Sequence, residues 1–338
     1  MNLQVMWKLL QETFKEWSED KASRLAAALA YYTIFSIAPL LIIVIAIAGV
    51  VFGEDAARGQ IVGQIQGLVG KDGAQFIQTA IQNANKPQTG AIASIISVVV
   101  LIVGATGLFT ELQDSLNTIW EVKPKPGRGV NNMIRLRFLS FAMVIGIGFL
   151  LLVSLVISTG LAALVKYFGN ILPGVDFLWR IVNFVLSFSI TTALFGLIFK
   201  VLPDVKITWN DVFIGAIITS FLFSIGRFLL GQYLGNGSFG STYGAAGSLV
   251  VLLAWVNYAA QILFFGAEFT QVYARRYGSG ITPTKDAIPL SEHTKDDGTN
   301  KTGQSSTKKK PSSSFINRLF QSLKKPKRLK QKNKNQRF

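Results

Sequence analysis

Six apolar runs divide this chain, at Tyr31–Phe52, Ala91–Phe109, Phe138–Val165, Phe177–Leu202, Val212–Leu230 and Ser248–Thr270. Each is close to or longer than the roughly 20 residues that cross a bilayer as a helix. None alternates apolar and polar residues with a period of two, so helices fit better than a barrel, and a helix satisfies its own backbone in lipid. The sequence therefore predicts an all-α polytopic membrane protein: a six-transmembrane-helix bundle with amphipathic interfacial helices and a disordered basic C-terminal tail. With half of the residues hydrophobic and only 15% charged, one membrane domain over residues 1–277 suits the chain better than two soluble domains.

The chain has no cysteine and a single histidine, His293, set among polar tail residues. Disulfides, thiolate metal sites, cysteine nucleophiles and imidazole-built zinc sites are thereby excluded, and neither a metal nor a cofactor is expected. Ala46-Ile47-Ala48 resembles a signal-peptide cleavage site. About thirty residues with four acids precede the apolar run, which is too long for an h-region, so it reads as a retained span.

Basic residues orient the bundle. Lys8, Lys15, Lys21 and Arg24 precede the first span, Lys123 to Arg137 fill the second-to-third connection, and Lys200 and Lys206 flank the fourth-to-fifth. The other side is poorer in Lys and Arg, which places both termini in the cytoplasm by the positive-inside rule. The formal charge is +16, and residues 278–338 carry most of the excess. In that tail Phe315, Leu319 and Phe320 lie on one helical stripe ahead of Lys324, Lys325 and Arg328. A short basic amphipathic helix there would lie on anionic lipids; a solvated tail is the plainer reading, and nucleic-acid binding is disfavoured.

The N-terminus carries Met6, Leu10, Phe14 and Trp17 on one stripe and reads as an interfacial helix over 3–24. The loop after the first span has helical spacing at Ile61, Ile65, Leu68 and Val69 and again at Ile77 and Ile81, which predicts two short amphipathic helices. Pro39 should kink the first span. Gly244 and Gly247 allow close helix approach beside the last span. Gly235 to Gly240 matches a dinucleotide fingerprint only formally, since no strand precedes it.

Three motifs recur in order: Ala26 to Thr33 running into Phe35-Ser36 and Ala38-Pro39-Leu40, Glu111 to Trp120, and Tyr243 to Ser248 followed by Phe265 to Thr270. On these residues the chain resembles the YihY / virulence factor BrkB family of bacterial inner-membrane proteins, formerly labelled ribonuclease BN, over roughly residues 10–277. The resemblance implies a six-helix protein of the bacterial cytoplasmic membrane with no agreed molecular activity. A metal-dependent nuclease needs clustered His and Asp ligands, which this chain lacks, so ribonuclease activity is not expected.

In the second motif Leu108, Leu112, Leu116, Ile119 and Trp120 form an apolar face, with Glu111, Asp114, Asn117 and Glu121 on a polar one. Arg24, Glu111, Asp114 and Glu268 all approach the inner interface, where opposite charges suggest either a structural clamp or a gate or proton site. Arg227 lies about 22 Å along the fifth span at 1.5 Å per residue. It either snorkels to the outer interface or holds an anionic group. The expected function is therefore a transporter-like or lipid- and envelope-handling membrane protein taking a small anionic or lipid substrate. The alternative is a structural or assembly protein with no transport path, and an enzyme is disfavoured because no catalytic constellation is visible.

Overall fold

The structure, a computed structural model, describes residues 3–84, 106–125, 146, 175–236 and 246–290. The third apolar run, most of the second and the tail stripe from Phe315 to Arg328 lie outside them, as does Gly244.

Helix α1 (Leu3–Glu19) turns through Asp20 into α2 (Ala22–Phe52), which bends by 42° between its segments Ala22–Ala38 and Leu40–Val50. Pro39 stands at the bend, where it removes one backbone donor from the ladder. Helix α3 (Glu54–Ala84) packs against α2 and reaches α6 and α7, introduced below. It breaks at Gly70, whose φ of 79° suits glycine, so the two expected amphipathic helices are both present. Ala57, Ile61, Ile77 and Ile81 bury their side chains in the main core.

Helix α4 covers residues 106–119 and ends in strand β1 (Val122–Pro124). Helix α5 (Val175–Val201), strand β2 (Val205–Lys206), helix α6 (Trp209–Asn236) and helix α7 (Gly247–Arg276) follow. Three segments among the described residues are long and apolar enough to cross a membrane: Ile181–Val201, Trp209–Leu230 and Gly247–Arg276. The bent α2 makes a fourth if it counts as one span. Phe213, Ile217, Phe221 and Phe228 stand exposed along α6, and Phe177, Ile181 and Phe184 along α5. Such continuous apolar faces are costly in water and suit a hydrocarbon surround.

Helices α6 and α7 approach through two reciprocal notches. A side chain at Gly215 would collide with Thr270, and one at Gly266 with Thr219. Each threonine is fully buried and donates its hydroxyl back to the glycine carbonyl four residues earlier on its own helix, Thr219 to Gly215 at 2.7 Å and Thr270 to Gly266 at 2.6 Å. The hydroxyls are thus satisfied locally while their bulk fills the opposite helix's gap. Further along, Gly226 makes the same room for the ring of Tyr258.

Beyond α7 the chain does not leave the bundle at residue 277. Strands β3 (Thr282–Pro283) and β4 (Ala287–Pro289) form antiparallel ladders, β3 with β2 in the register Val205↔Pro283 and β4 with β1 in the register Val122↔Pro289. The backbone of Lys125 donates to Asp286, Leu290 to Glu121 and Thr284 to Asp204. Residues 277–290 therefore strap the α4 end and the α5–α6 connection to the end of α7. This ordered segment lies beyond the sequence-based boundary and separates α7 from the basic tail.

Candidate functional site

The residues most exposed to electrostatic conflict meet where α1, α4 and α7 converge. Docking of α1 on α7 sets the place: Leu9 packs with Phe269 and Val272, Arg276 pairs with Glu12 at 2.6 Å, and Arg275 pairs with Glu16 at 2.8 Å. The chain then turns sharply. Asp20 donates its backbone N–H to Glu16, and Lys21 adopts a left-handed φ of 55° ahead of α2. Glu121, in the turn that follows α4, has the same left-handed φ, and Arg275 reaches it at 3.4 Å. These are the two non-glycine residues with positive φ among the described residues, and both border this cluster. Such conformations persist where the surrounding structure imposes them.

Into this ring of carboxylates projects Glu268, which has no solvent exposure. It sits between Gly266 and Thr270, so the lock between α6 and α7 fixes its position along the helix. Among the described residues neither of its carboxyl oxygens meets a donor, and its side chain comes within hydrogen-bonding reach of Asp20. Asp20 is half-buried, and its pKa is pushed up from 3.8 to about 6, first by burial and then by the charges of Glu121, Glu16 and Glu19, against the opposing contact with Glu268.

A second polar node lies between α4 and the α5–α6 connection. Asp204 is buried and accepts hydrogen bonds from Gln113 Nε2 and Asn117 Nδ2, both at 3.1 Å, while its own backbone N–H donates to Asn117 Oδ1 at 2.8 Å. Partial burial, and after it the negative charge of Asp204, raises the pKa of Asp114. That of Glu111 is raised by burial and by Asp114. A third anchor, Asp211 in the first turn of α6, accepts from the Thr208 hydroxyl and from the Ser279 backbone and hydroxyl. It holds the strap against the helix start.

Between α1, α6 and α7 runs a cavity of about 340 Å³. Leu222 and Ile225 form its α6 wall, Phe14 and Trp17 its α1 wall, and Tyr258, Gln261, Ile262 and Phe265 its α7 wall. The walls are apolar, but among the described residues the Trp17 Nε1 and Gln261 Oε1 atoms are buried without partners, and the other Gln261 amide atom donates to Ser23 at 3.1 Å.

The residues singled out in the sequence divide among these places. Glu268 is at the centre of the carboxyl cluster. Its neighbours are Asp20, Glu16, Glu121 and Arg275, whereas Arg24 is exposed and makes none of the ion pairs found at the cluster. Glu111 and Asp114 belong to the Asp204 side. Asn117 does not stay on the open polar face with Glu121: it is buried, because Asp204 engages both ends of its amide. Arg227 is exposed on α6, two residues past the cavity wall at Ile225. Gly247 is buried at the start of α7. Sequence reasoning passed over Asp20, Arg275 and Asp204. Arg275 and Arg276 stand in the last turn of a helix, where the dipole favours cations, and Gln113 and Asn117 share a four-residue spacing that could have flagged a common partner.

A sequence model of the virulence factor BrkB family matches residues 13–289. The chain belongs to that family. The match runs through β4, so it takes in the strap as well as the helices. Relatives are bacterial and bear the name UPF0761 membrane protein. One from Teredinibacter turnerae is 26% identical over 84% of this chain and 64% of its own length. One from Saccharophagus degradans is 29% identical over 78% of this chain and 59% of its own. A third, from Mannheimia succiniciproducens, is 26% identical over 78% of this chain and 89% of its own length. The chain thus spans less than two thirds of the first two. No solved structure matches. Membership of this family and the apolar helices make the chain a membrane protein.

Proposed function

We propose that this protein handles a membrane amphiphile, as a transporter-like or lipid-handling protein of the bacterial cytoplasmic membrane rather than as an enzyme. The cavity between α1, α6 and α7 carries the reading. Its volume of about 340 Å³ falls within the range of about 300–1,000 Å³ typical of small-ligand sites. Two of its walls belong to helices apolar and long enough to span a bilayer, so the ligand at hand is a lipid. An acyl chain matches the Leu222, Ile225 and Ile262 surface, and the polar start of that chain can accept from Trp17 Nε1.

Charge supports placing the α1 end of the bundle in the cytoplasm. Lys21 and Arg24, Lys123 and Lys125, Lys200 and Lys206, Arg275, Arg276 and Lys285 all belong to connections or helix ends joined there. Lys200 donates to the Ile207 carbonyl and lies 5.6 Å from the Trp209 ring centre, the pairing of cation and aromatic expected at a membrane surface. In a chain without native cysteine, single cysteines at Asn83, Asn170 and Asn236 should react with an impermeant thiol reagent in intact cells, and cysteines at Asn131 and Asn300 should not.

The reading itself is tested with a phospholipid bearing a photoreactive acyl chain, incorporated with the purified protein in nanodiscs. Crosslinks concentrated on the peptides containing Trp17 and Gln261, and reduced by a bulky Ile262→Trp substitution, are the expected result. Labelling spread evenly over α5, α6 and α7 would leave the structural alternative.

A further inference from the structure

We propose that Asp20 and Glu268 form a proton-binding site, in which one proton bridges the two carboxyl groups across the junction of α1 and α7. Four observations combine. Glu268 is wholly buried, and among the described residues both of its oxygens lack a donor. The side chain within hydrogen-bonding reach is another carboxyl, that of Asp20. Two carboxylates in contact have acceptors only, so a hydrogen bond between them requires that one hold a proton. Finally, Arg275, a cation whose charge acts on Glu268, is already divided between Glu16 and Glu121.

The surrounding charges reinforce this. On α1, Glu12 is engaged by Arg276, Glu16 by Arg275, and Glu19 by Lys15 at 3.6 Å. From α4 comes Glu121, and from α7 come Arg275 and Arg276. Lys21 and Arg24, next in sequence, are exposed. A fully ionised pair would add two negative charges to a ring whose bases already have partners, in a position Glu268 shares with no solvent. Uptake of one proton from water converts this to a single negative charge held by an O–H donating to a carboxylate, a short charge-assisted bond.

The location gives the proton a structural lever. Asp20 sits on the turn between α1 and α2, Glu268 on α7, and Glu121 at the end of α4, so loss of the bridging proton drives the α1–α2 turn away from α7. Phe14 and Trp17, which wall the cavity, ride on the same α1. The site stands on its own geometry and does not depend on the cavity's taking a lipid.

Infrared difference spectroscopy of the full chain in nanodiscs tests it. The wild type should show a carboxylic-acid carbonyl band at pH 7.5. Glu268→Gln should abolish the band, and Asp20→Asn should shift it, because the acceptor changes while the acid persists. Both variants are neutral and isosteric, and the band in the wild type reads out the proton even where a variant folds poorly. Absence of the band from wild type at pH 7.5, or its survival unshifted in both variants, would overturn the proposal. So would replacement of the band by carboxylate absorption on adding sodium or magnesium at fixed pH, which would make the site one for a metal cation.

Discussion

Thr270 occupies the space a side chain on Gly215 would need, and Thr219 does the same opposite Gly266. The two helices are keyed in register by two residues on each, spaced four apart. Gly215→Ala should therefore overpack the interface and lower stability by about 1–3 kcal/mol. Thermal unfolding of the purified protein would show it, and a compensating Thr270→Gly should recover part of the loss. Equal stability of Gly215→Ala and wild type would mean the helices slide past one another at little cost.

The node at Asp204 offers a sharper substitution. Asn117→Ala leaves a buried carboxylate short of one donor and its own backbone N–H short of an acceptor, at a cost of about 1–3 kcal/mol. Asn117→Asp should be worse, since it sets a second negative charge against Asp204. Limited proteolysis should find residues 277–290 more accessible in both variants, because Thr284 is bonded to the Asp204 carbonyl.

How α1 is held can be decided by comparing two single changes. The Arg275 ion pairs are partly exposed, and such pairs contribute about 0–1 kcal/mol. Leu9 is 1% exposed, and truncating a buried leucine costs about 2–5 kcal/mol. Hydrogen exchange across α1 should accelerate far more in Leu9→Ala than in Arg275→Ala. The reverse order would show that the charges, not the apolar contact, retain the helix.

The raised pKa of Asp20 makes a prediction about pH. Because its folded value of about 6 exceeds the ordinary 3.8, the folded protein binds this proton more tightly than the unfolded chain does. The resulting stabilisation is fully present below about 4 and is lost as the pH rises through about 6. Wild-type melting temperatures should carry this component, and Asp20→Asn should remove it. Titration of melting temperature across that window in both proteins measures the difference.

For the tail, a peptide of residues 305–338 should bind anionic vesicles, gain helix there and be released by salt, as its basic excess and the Phe315–Leu319–Phe320 stripe imply. Equal binding to uncharged vesicles would argue against an electrostatic anchor.

What was legible in the sequence follows from the range of the interactions. Helices α5, α6 and α7 announce themselves because a long apolar run has few other fates, and the bend at Pro39 and the paired helices of α3 follow from local rules. Val122-Lys123-Pro124 and Val205-Lys206 carry no readable period: they are too short, and their partners lie far along the chain. Asp20 sits in sequence among Glu16, Glu19 and Lys21, a setting that reads as a solvated turn. Only the docking of α1 on α7 half-buries it. The same holds for Asn117, whose helical position is polar and whose burial is decided by a residue on another connection.

The strap also bears on how the molecule is completed. Strand β1 is synthesised nearly half a chain before β4, its partner, and β2 likewise waits for β3 across the whole of α6 and α7. Pairings so distant in sequence close slowly. The α4 end and the α5–α6 connection therefore stay open during most of translation. The last few residues before the tail act as the fastener that shuts them, so closure waits on the synthesis of α7.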